Sequence, residues 1–239
     1  MPRHLPLLIA MTALLALPAA AAELQPFSAS FKVTWRGMSA GRSRLELQRL
    51  PDGRWSYASR STAQGLFRLV LPAELSSRSV FSIRNGEVIP EHFTGDDGTD
   101  SRRRDQDLVF DWEHGRVTGI AETQPVDLPL QPGLQDGMSV QVSLINALHE
   151  GREVSRLLMV DKTKIKEYLY TREGTATIQT ALGPRQTILY RSRRPGSEHA
   201  TWFWCAPDLG YLPVRVERRD GTKVEWSMTI ESASLSDSP

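Results

Sequence analysis

The chain has 239 residues, of which 40% are hydrophobic, 24% charged and 8% aromatic, with 17 Gly and 15 Pro. These values exclude disordered, collagenous and simple coiled-coil classes, and the length is ample for a sizeable core. Lys and Arg number 29 against 28 Asp and Glu, so no bulk positive charge points to nucleic acid as a partner.

The first element in chain order is a leader. Arg3 is the one fixed positive charge before an apolar run, LPLLIAMTALLAL, over residues 5–17. Pro18 breaks that run, and Ala20 and Ala22 offer a small-residue cleavage site. This pattern predicts a secretory signal peptide over 1–22 and a single β-rich domain over 23–239. The run is too short for a membrane anchor, so no transmembrane span is expected once the leader is gone. Cleavage removes Arg3 and no acid, leaving 217 residues with 28 basic and 28 acidic side chains.

Period-two alternation dominates the rest. Phe27, Ala29, Phe31, Val33 and Trp35 alternate with Ser28, Ser30, Lys32 and Thr34. Val224, Trp226, Met228 and Ile230 alternate with Lys223, Glu225, Ser227 and Thr229. Each run reads as a strand with one apolar and one wet face. Further strands are predicted near 42–50, 54–62, 74–83, 87–94, 105–112, 116–121, 153–160, 163–171, 175–181, 185–193, 199–205 and 213–218. Short spacing with turn residues between them argues for antiparallel pairing.

Four glycine-ended segments read as three-residue loops closed by a left-handed glycine. Pro51-Asp52-Gly53 would pair Leu47 with Tyr57, and Arg84-Asn85-Gly86 would pair Phe81 with Ile89. Arg172-Glu173-Gly174 would pair Tyr168 with Ile178, and Arg219-Asp220-Gly221 would pair Val216 with Val224. The expected fold is therefore mainly β, a curved antiparallel meander closing into a barrel or half-barrel.

One segment breaks the pattern. Val140, Leu144 and Leu148 recur every four residues beside Ile145, with Asp136 as N-cap and Gly151 as the stop. This predicts one amphipathic helix plugging or covering one mouth of the sheet. Pro125, Pro129 and Pro132 make 121–135 a stiff connector leading into it.

Few motifs carry chemistry. Gly37-Met38-Ser39-Ala40-Gly41 matches a hydrolase nucleophile elbow, but an alternating run follows it where a helix is needed. The lone Cys205 sits in an apolar run and reads as an inert buried thiol. His92, His114, His149 and His199 are scattered, and Asp96-Asp97-Gly98-Thr99-Asp100 fails the hand-type calcium spacing, so it reads as a polar turn. No phosphate-cradling loop or dinucleotide fingerprint is present, and no cofactor is expected. The arginine clusters 102–104 and Arg191, Arg193, Arg194 read as solvated edges.

The aromatic residues are more suggestive. Trp202 and Trp204 share one strand face, while Phe203 and Cys205 occupy the other. Parity does not say which pair faces inward. Trp226 and Met228 offer a matching apolar face for the tryptophans, and Phe31 and Trp35 lie on the first alternating strand. Phe31, Trp35, Trp202, Trp204, Trp226 and Met228 are thus the candidate ligand-lining residues, with plain core packing as the competing reading.

Several segments taken together are familiar. They are Ser79-Val80-Phe81, Ile89-Pro90-Glu91-His92-Phe93, Phe110-Asp111-Trp112, Asp136-Gly137-Met138-Ser139, and Trp204-Cys205-Ala206-Pro207 leading to Tyr211-Leu212-Pro213-Val214-Arg215. Their order resembles a domain-of-unknown-function family of exported, β-rich Gram-negative proteins. The resemblance implies a periplasmic location and supplies no catalytic residue. Three functions remain open: binding an apolar or amphiphilic small molecule in a curved sheet, holding an envelope protein as a scaffold or assembly factor, or hydrolysis through Ser39. The leader reading makes a direct prediction. N-terminal sequencing of the exported protein should begin at Glu23, and a start well before Ala20 would refute it.

Overall fold

The computed structural model describes residues 24–99, 101 and 103–235, so the predicted leader lies outside the described residues. A single 15-stranded sheet dominates. Its first eight strands are β1 (Phe27–Trp35), β2 (Met38–Arg49), β3 (Trp55–Ala63), β4 (Leu75–Arg84), β5 (Glu87–Asp96), β6 (Gln106–Asp111), β7 (Arg116–Ala121) and β8 (Gln124–Pro129). A short β9 (Leu134–Gln135) then leads into α1 (Ser139–His149). The rest are β10 (Arg156–Asp161), β11 (Lys164–Thr180), β12 (Gly183–Arg193), β13 (His199–Ala206), β14 (Leu212–Asp220) and β15 (Lys223–Leu235). The spatial order is β8-β7-β6-β5-β4-β3-β2-β1-β15-β14-β13-β12-β11-β10-β9, so β1 and β15 join two meanders at the centre.

Every ladder is antiparallel except β9 with β10, where α1 supplies the crossover that parallel pairing requires. The sheet does not close. Instead it rolls until β9 lies beside β5, where Gln135 Nε2 donates to the Val88 carbonyl at 2.9 Å. The β6–β8 end continues past that meeting. Lys162, in the β10–β11 turn, pairs with Glu122, in the β7–β8 turn, at 2.9 Å. Val160, Leu158 and Ile165 share one apolar cluster with Leu108, Val117 and Val126. The fold is a scroll, and overlap covers much of its free ends.

The inner face carries large residues at one end: Phe27, Leu47, Trp55, Tyr57 and Phe81 are all buried. The helix occupies the interior. Val142 and Ile145 pack with that cluster, while Val140, Leu144, Ala147 and Leu148 pack against Tyr170, Tyr190, Phe203 and Val216. Eight of its 11 residues are buried, so α1 fills the scroll more than it covers it.

Its ends are set by local chemistry. Asp136 Oδ1 accepts the N–H groups of Met138 and Ser139 at 2.8 Å each, and its own N–H donates to Ser139 Oγ at 2.9 Å. Asp136 Oδ2 accepts Ser79 Oγ–H at 2.6 Å, tying the cap to β4. Gly151 takes φ +67°, with Arg152 N–H donating to Ala147 O and Gly151 N–H to Leu148 O. That is a Schellman termination. His149 meets Tyr211 edge-on at 5.1 Å and Gly210 O at 3.0 Å, anchoring the helix end to the β13–β14 connection.

The predicted turns divide. Leu47 does pair with Tyr57 across Pro51-Asp52-Gly53. Arg84 pairs with Glu87, however, so Asn85-Gly86 is a two-residue turn with φ of 52° and 75°, and Phe81 faces Pro90. Two positive φ values in succession are what Asn-Gly accommodates best. Asp220 pairs with Lys223 around a Gly221-Thr222 turn, and a bulge at Arg218/Arg219 brings Val216 opposite Met228 instead of Val224. Residues 172–174 form no turn. β11 runs through them, and Glu173 is the extra residue of a bulge between Arg172 and Gly174. The proline-rich connector holds the unpredicted strand β8. Pro125 and Pro129 fit there because β8 is an edge strand.

Two glycines separate backbone strain from crowding. Gly221 has φ +54° and open space around a built Cβ, whereas at Gly119, with φ +143°, a Cβ would fall 1.9 Å from Asp107 O. Gly221→Ala should cost about 1–2 kcal/mol, near 2–4 °C of melting temperature per kcal/mol. Gly119→Ala should lower the melting temperature by at least about twice as much. Equal shifts would mean that the β6–β7 contact at Gly119 is misplaced.

Candidate ligand-binding site

The inner face changes character towards the opposite end of the scroll. Where β1, β3, β10, β12 and β14 finish, the inward positions of β2 and β3 are Gly41, Ser43, Ser59, Ser61 and Ala63. Small side chains leave volume unfilled, and α1 starts too deep to fill it. The result is an open mouth. Its apolar side is a cavity of about 620 Å³ lined by Val33, Trp35, Gly41, Ser61, Ala63, Leu75, Trp226 and Met228. Phe67, Val70 and Leu71 of the β3–β4 connection, which contains a 3-10 turn at Gly65–Leu69, lean over it. That volume falls in the range of small-molecule sites. The same connection exposes Leu66, Leu69 and Val70 at 81%, 82% and 76%, an apolar lip beside the opening.

Trp226 and Met228 also wall a second cavity of about 260 Å³ between the start of the helix and the β11–β14 wall. Met159, Tyr168, Ser192, Thr201 and Arg218 are shared by that cavity and a third, of about 550 Å³. The third lies on the opposite side of the mouth and is polar. There Lys166 Nζ binds Asp161 Oδ2 at 2.7 Å, and Tyr168 donates to the same oxygen at 3.1 Å. Burial pushes the Asp161 carboxyl up, but Lys166, Tyr168 and Arg194 more than offset this and hold it below its ordinary range. Burial and the neighbouring Asp161 charge push the Tyr168 hydroxyl up to about 12.

The six residues chosen from sequence do not gather in one place. Phe31 is wholly buried beneath the mouth, Trp226 and Met228 line it, and Trp35 stands at its edge, 40% exposed. Trp202 and Trp204 are elsewhere. Pairing of Phe203 with Val216 and of Val216 with Met228 places Phe203 on the inner face and both tryptophans outside. The expectation that they share a face with Trp226 is therefore corrected, and strand parity is the reason.

On the outer face the tryptophans stack at 6.5 Å, with Arg219 4.7 Å over Trp202 and Arg215 5.6 Å over Trp204. Glu217, 2% exposed, accepts from Arg215 Nε at 2.7 Å and Arg219 Nε at 2.8 Å. The two guanidinium groups share the Glu217 carboxylate, and the array packs the wall. Among the lining residues that sequence reading missed are Gly41, Ser59, Ser61 and Ala63. Small residues at alternate positions were their only signal.

Other chemistry is sparse. Ser39 is an exposed residue of β2 opposite Thr34, with no strand-to-helix turn after it. Cys205 is fully buried, and burial pushes its thiol up to about 12. His199, Asp220 and Glu225 bring one ligand atom each within 4.8 Å, as do Asp96, Asp97 and Asp105. Glu225 already accepts from Arg218 at 3.2 Å, and Asp97 accepts from the Thr99 backbone and hydroxyl, as a polar turn should. Among the described residues, no helix is long and apolar enough to cross a membrane.

The chain belongs to the protein family of unknown function DUF3108, whose match spans residues 30–224. The resemblance read from the motifs is thus membership of an uncharacterised family. No curated protein matches the sequence. Among solved structures, it is similar to a β-barrel-like protein of domain of unknown function DUF1849 from Brucella abortus, with TM-score 0.54 and 8% identity, covering 90% of this chain and 99% of that one. A MucA/MucB complex structure from Pseudomonas aeruginosa matches with TM-score 0.40 and 11% identity, covering 92% of this chain and 54% of that one. The first likeness shows the β-barrel-like fold.

The split of the aromatic residues can be tested by stability and binding together. Trp204→Ala should cost roughly 3–5 kcal/mol, because Trp204 is 8% exposed and packed. At a temperature where the variant stays folded, its affinity for an apolar fluorescent probe should equal that of the wild type. Altered affinity would place Trp204 on the cavity side.

Proposed function

We propose that the protein is a non-catalytic, exported carrier that holds an apolar or amphiphilic molecule in the mouth of its rolled sheet, with 23–239 as the mature domain and the periplasm as its location. One observation carries this reading. An apolar cavity of about 620 Å³ is walled by Val33, Trp35, Leu75, Trp226 and Met228 and opens beside an exposed apolar lip. A cavity built for packing would be filled, since interiors are close-packed and each unfilled volume costs stability. Ser39 lies opposite Thr34 on β2 with no strand-to-helix turn after it, which supports binding over hydrolysis. The scaffold reading draws on the same exposed Leu66, Leu69 and Val70, which could instead meet an envelope protein.

N-phenyl-1-naphthylamine should bind saturably, with a dissociation constant on the order of 1 μM, and should quench the tryptophan emission of Trp35 and Trp226. Ser61→Trp, which adds bulk to the cavity wall, should abolish binding while the melting temperature holds. Unsaturable binding, or full binding by Ser61→Trp, would sink the carrier reading and leave the scaffold ahead.

A further inference from the structure

We propose that the ligand is an anionic, long-chain amphiphile, its tail in the apolar cavity and its acidic head on Arg218, Arg194 and Lys166 across the mouth. This rests on the carrier reading and adds the chemical class.

The first ground is continuity. The apolar and middle cavities share Trp226 and Met228, and the middle and polar cavities share Tyr168 and Arg218 among others. One track therefore crosses the inner face from β15 to β11. Four inter-strand steps of about 4.8 Å make that crossing roughly 20 Å, which suits an extended acyl chain and is too long for a compact apolar solute.

The second ground is charge. The chain as a whole balances 29 cations against 28 acids, yet the polar cavity is lined by Lys162, Lys166, Arg193, Arg194 and Arg218 against Asp161 alone. Three of those cations already have partners: Lys162 has Glu122, Lys166 has Asp161, and Arg218 has Glu225. Arg193 and Arg194 have no acid within ion-pair distance among the described residues, although the Arg194 charge is near enough to Asp161 to help hold its carboxyl down. Within a partly enclosed site such an excess focuses a positive field. A guanidinium fork suits a carboxylate or phosphate head. The hydroxyl of Thr201 lines the same space and can donate to a remaining oxygen.

The third ground is segregation. Apart from Arg42, which is held by Glu231 at 2.8 Å, no charged residue lines the apolar cavity, and the polar cavity has Met159 as its one aliphatic wall. Tail and head chemistry thus sit at opposite ends of one track.

Displacement of bound N-phenyl-1-naphthylamine tests the idea with matched sixteen-carbon ligands: palmitate, palmitoyl lysophosphatidate and neutral monopalmitoyl glycerol. The anionic pair should displace the probe at concentrations about tenfold lower than the neutral one, a difference of about 1.4 kcal/mol. The tighter of the two identifies the head as carboxylate or phosphate. Arg194→Gln and Arg218→Gln together should reduce that preference to less than about threefold and leave the neutral ligand unchanged. Raising salt from about 0.05 to about 0.5 M should weaken only the anionic ligands. Unchanged melting of the variant confirms that the fold is intact. Equal displacement by all three ligands, or a preference that survives the double substitution, overturns the head site and leaves the carrier standing. Failure of every ligand to displace a probe that binds saturably overturns the inference in the same way. Failure of the probe itself to bind saturably overturns both readings.

Discussion

The structure depends on one filling constraint. A sheet of 15 strands that rolls on itself encloses more space than its inward side chains occupy. Among the described residues the 11-residue helix α1 fills part of the remainder. Where that helix begins decides which part of the interior is solid. The buried carboxylate of Asp136 sets the point by capping the first turn and holding Ser79 of β4. Burial pushes that carboxyl up, against the pull of the Ser79 hydroxyl and the Ser139 and Met138 N–H groups. A charged group in such a place is tolerated only when its lone pairs are met.

From that anchor the rest follows by size. Large inward residues of β1–β4 pack against one end of the helix, and Gly41, Ser43, Ser59 and Ser61 lie beyond its start. The same strands are therefore core at one end and cavity wall at the other. The scroll also resolves the exposure of edges. β8 and β9 would each present unpaired backbone, but β9 is drawn against β5 and the β6–β8 end overlaps β10 and β11.

Much of the sheet was legible from period-two alternation, because a half-buried strand must alternate. The alternating runs at 27–35 and 223–230 became β1 and β15. The turns were harder. Glycine after a polar residue closes a three-residue loop at Gly53, a two-residue turn at Gly86 and a bulge at Gly174. All three place glycine at positive φ, so composition alone cannot separate them. β8 was hidden by its prolines, which read as a connector until its edge position shows that their missing donors are not needed.

The sequence by itself determined the mainly β fold, the helix with both its caps, the inert thiol of Cys205 and the membership of an uncharacterised family. Those properties depend on neighbours along the chain, where periodicity and capping chemistry act. Only the tertiary structure decided which face of β13 points inward, because bulges at Trp204/Cys205 and Arg218/Arg219 reset the register between distant strands. Only it joined an apolar wall from β1–β4 and β15 to a cationic rim from β10–β14. Residues such as Leu75 and Lys166 are far apart in sequence, and they line one mouth only because the sheet rolls.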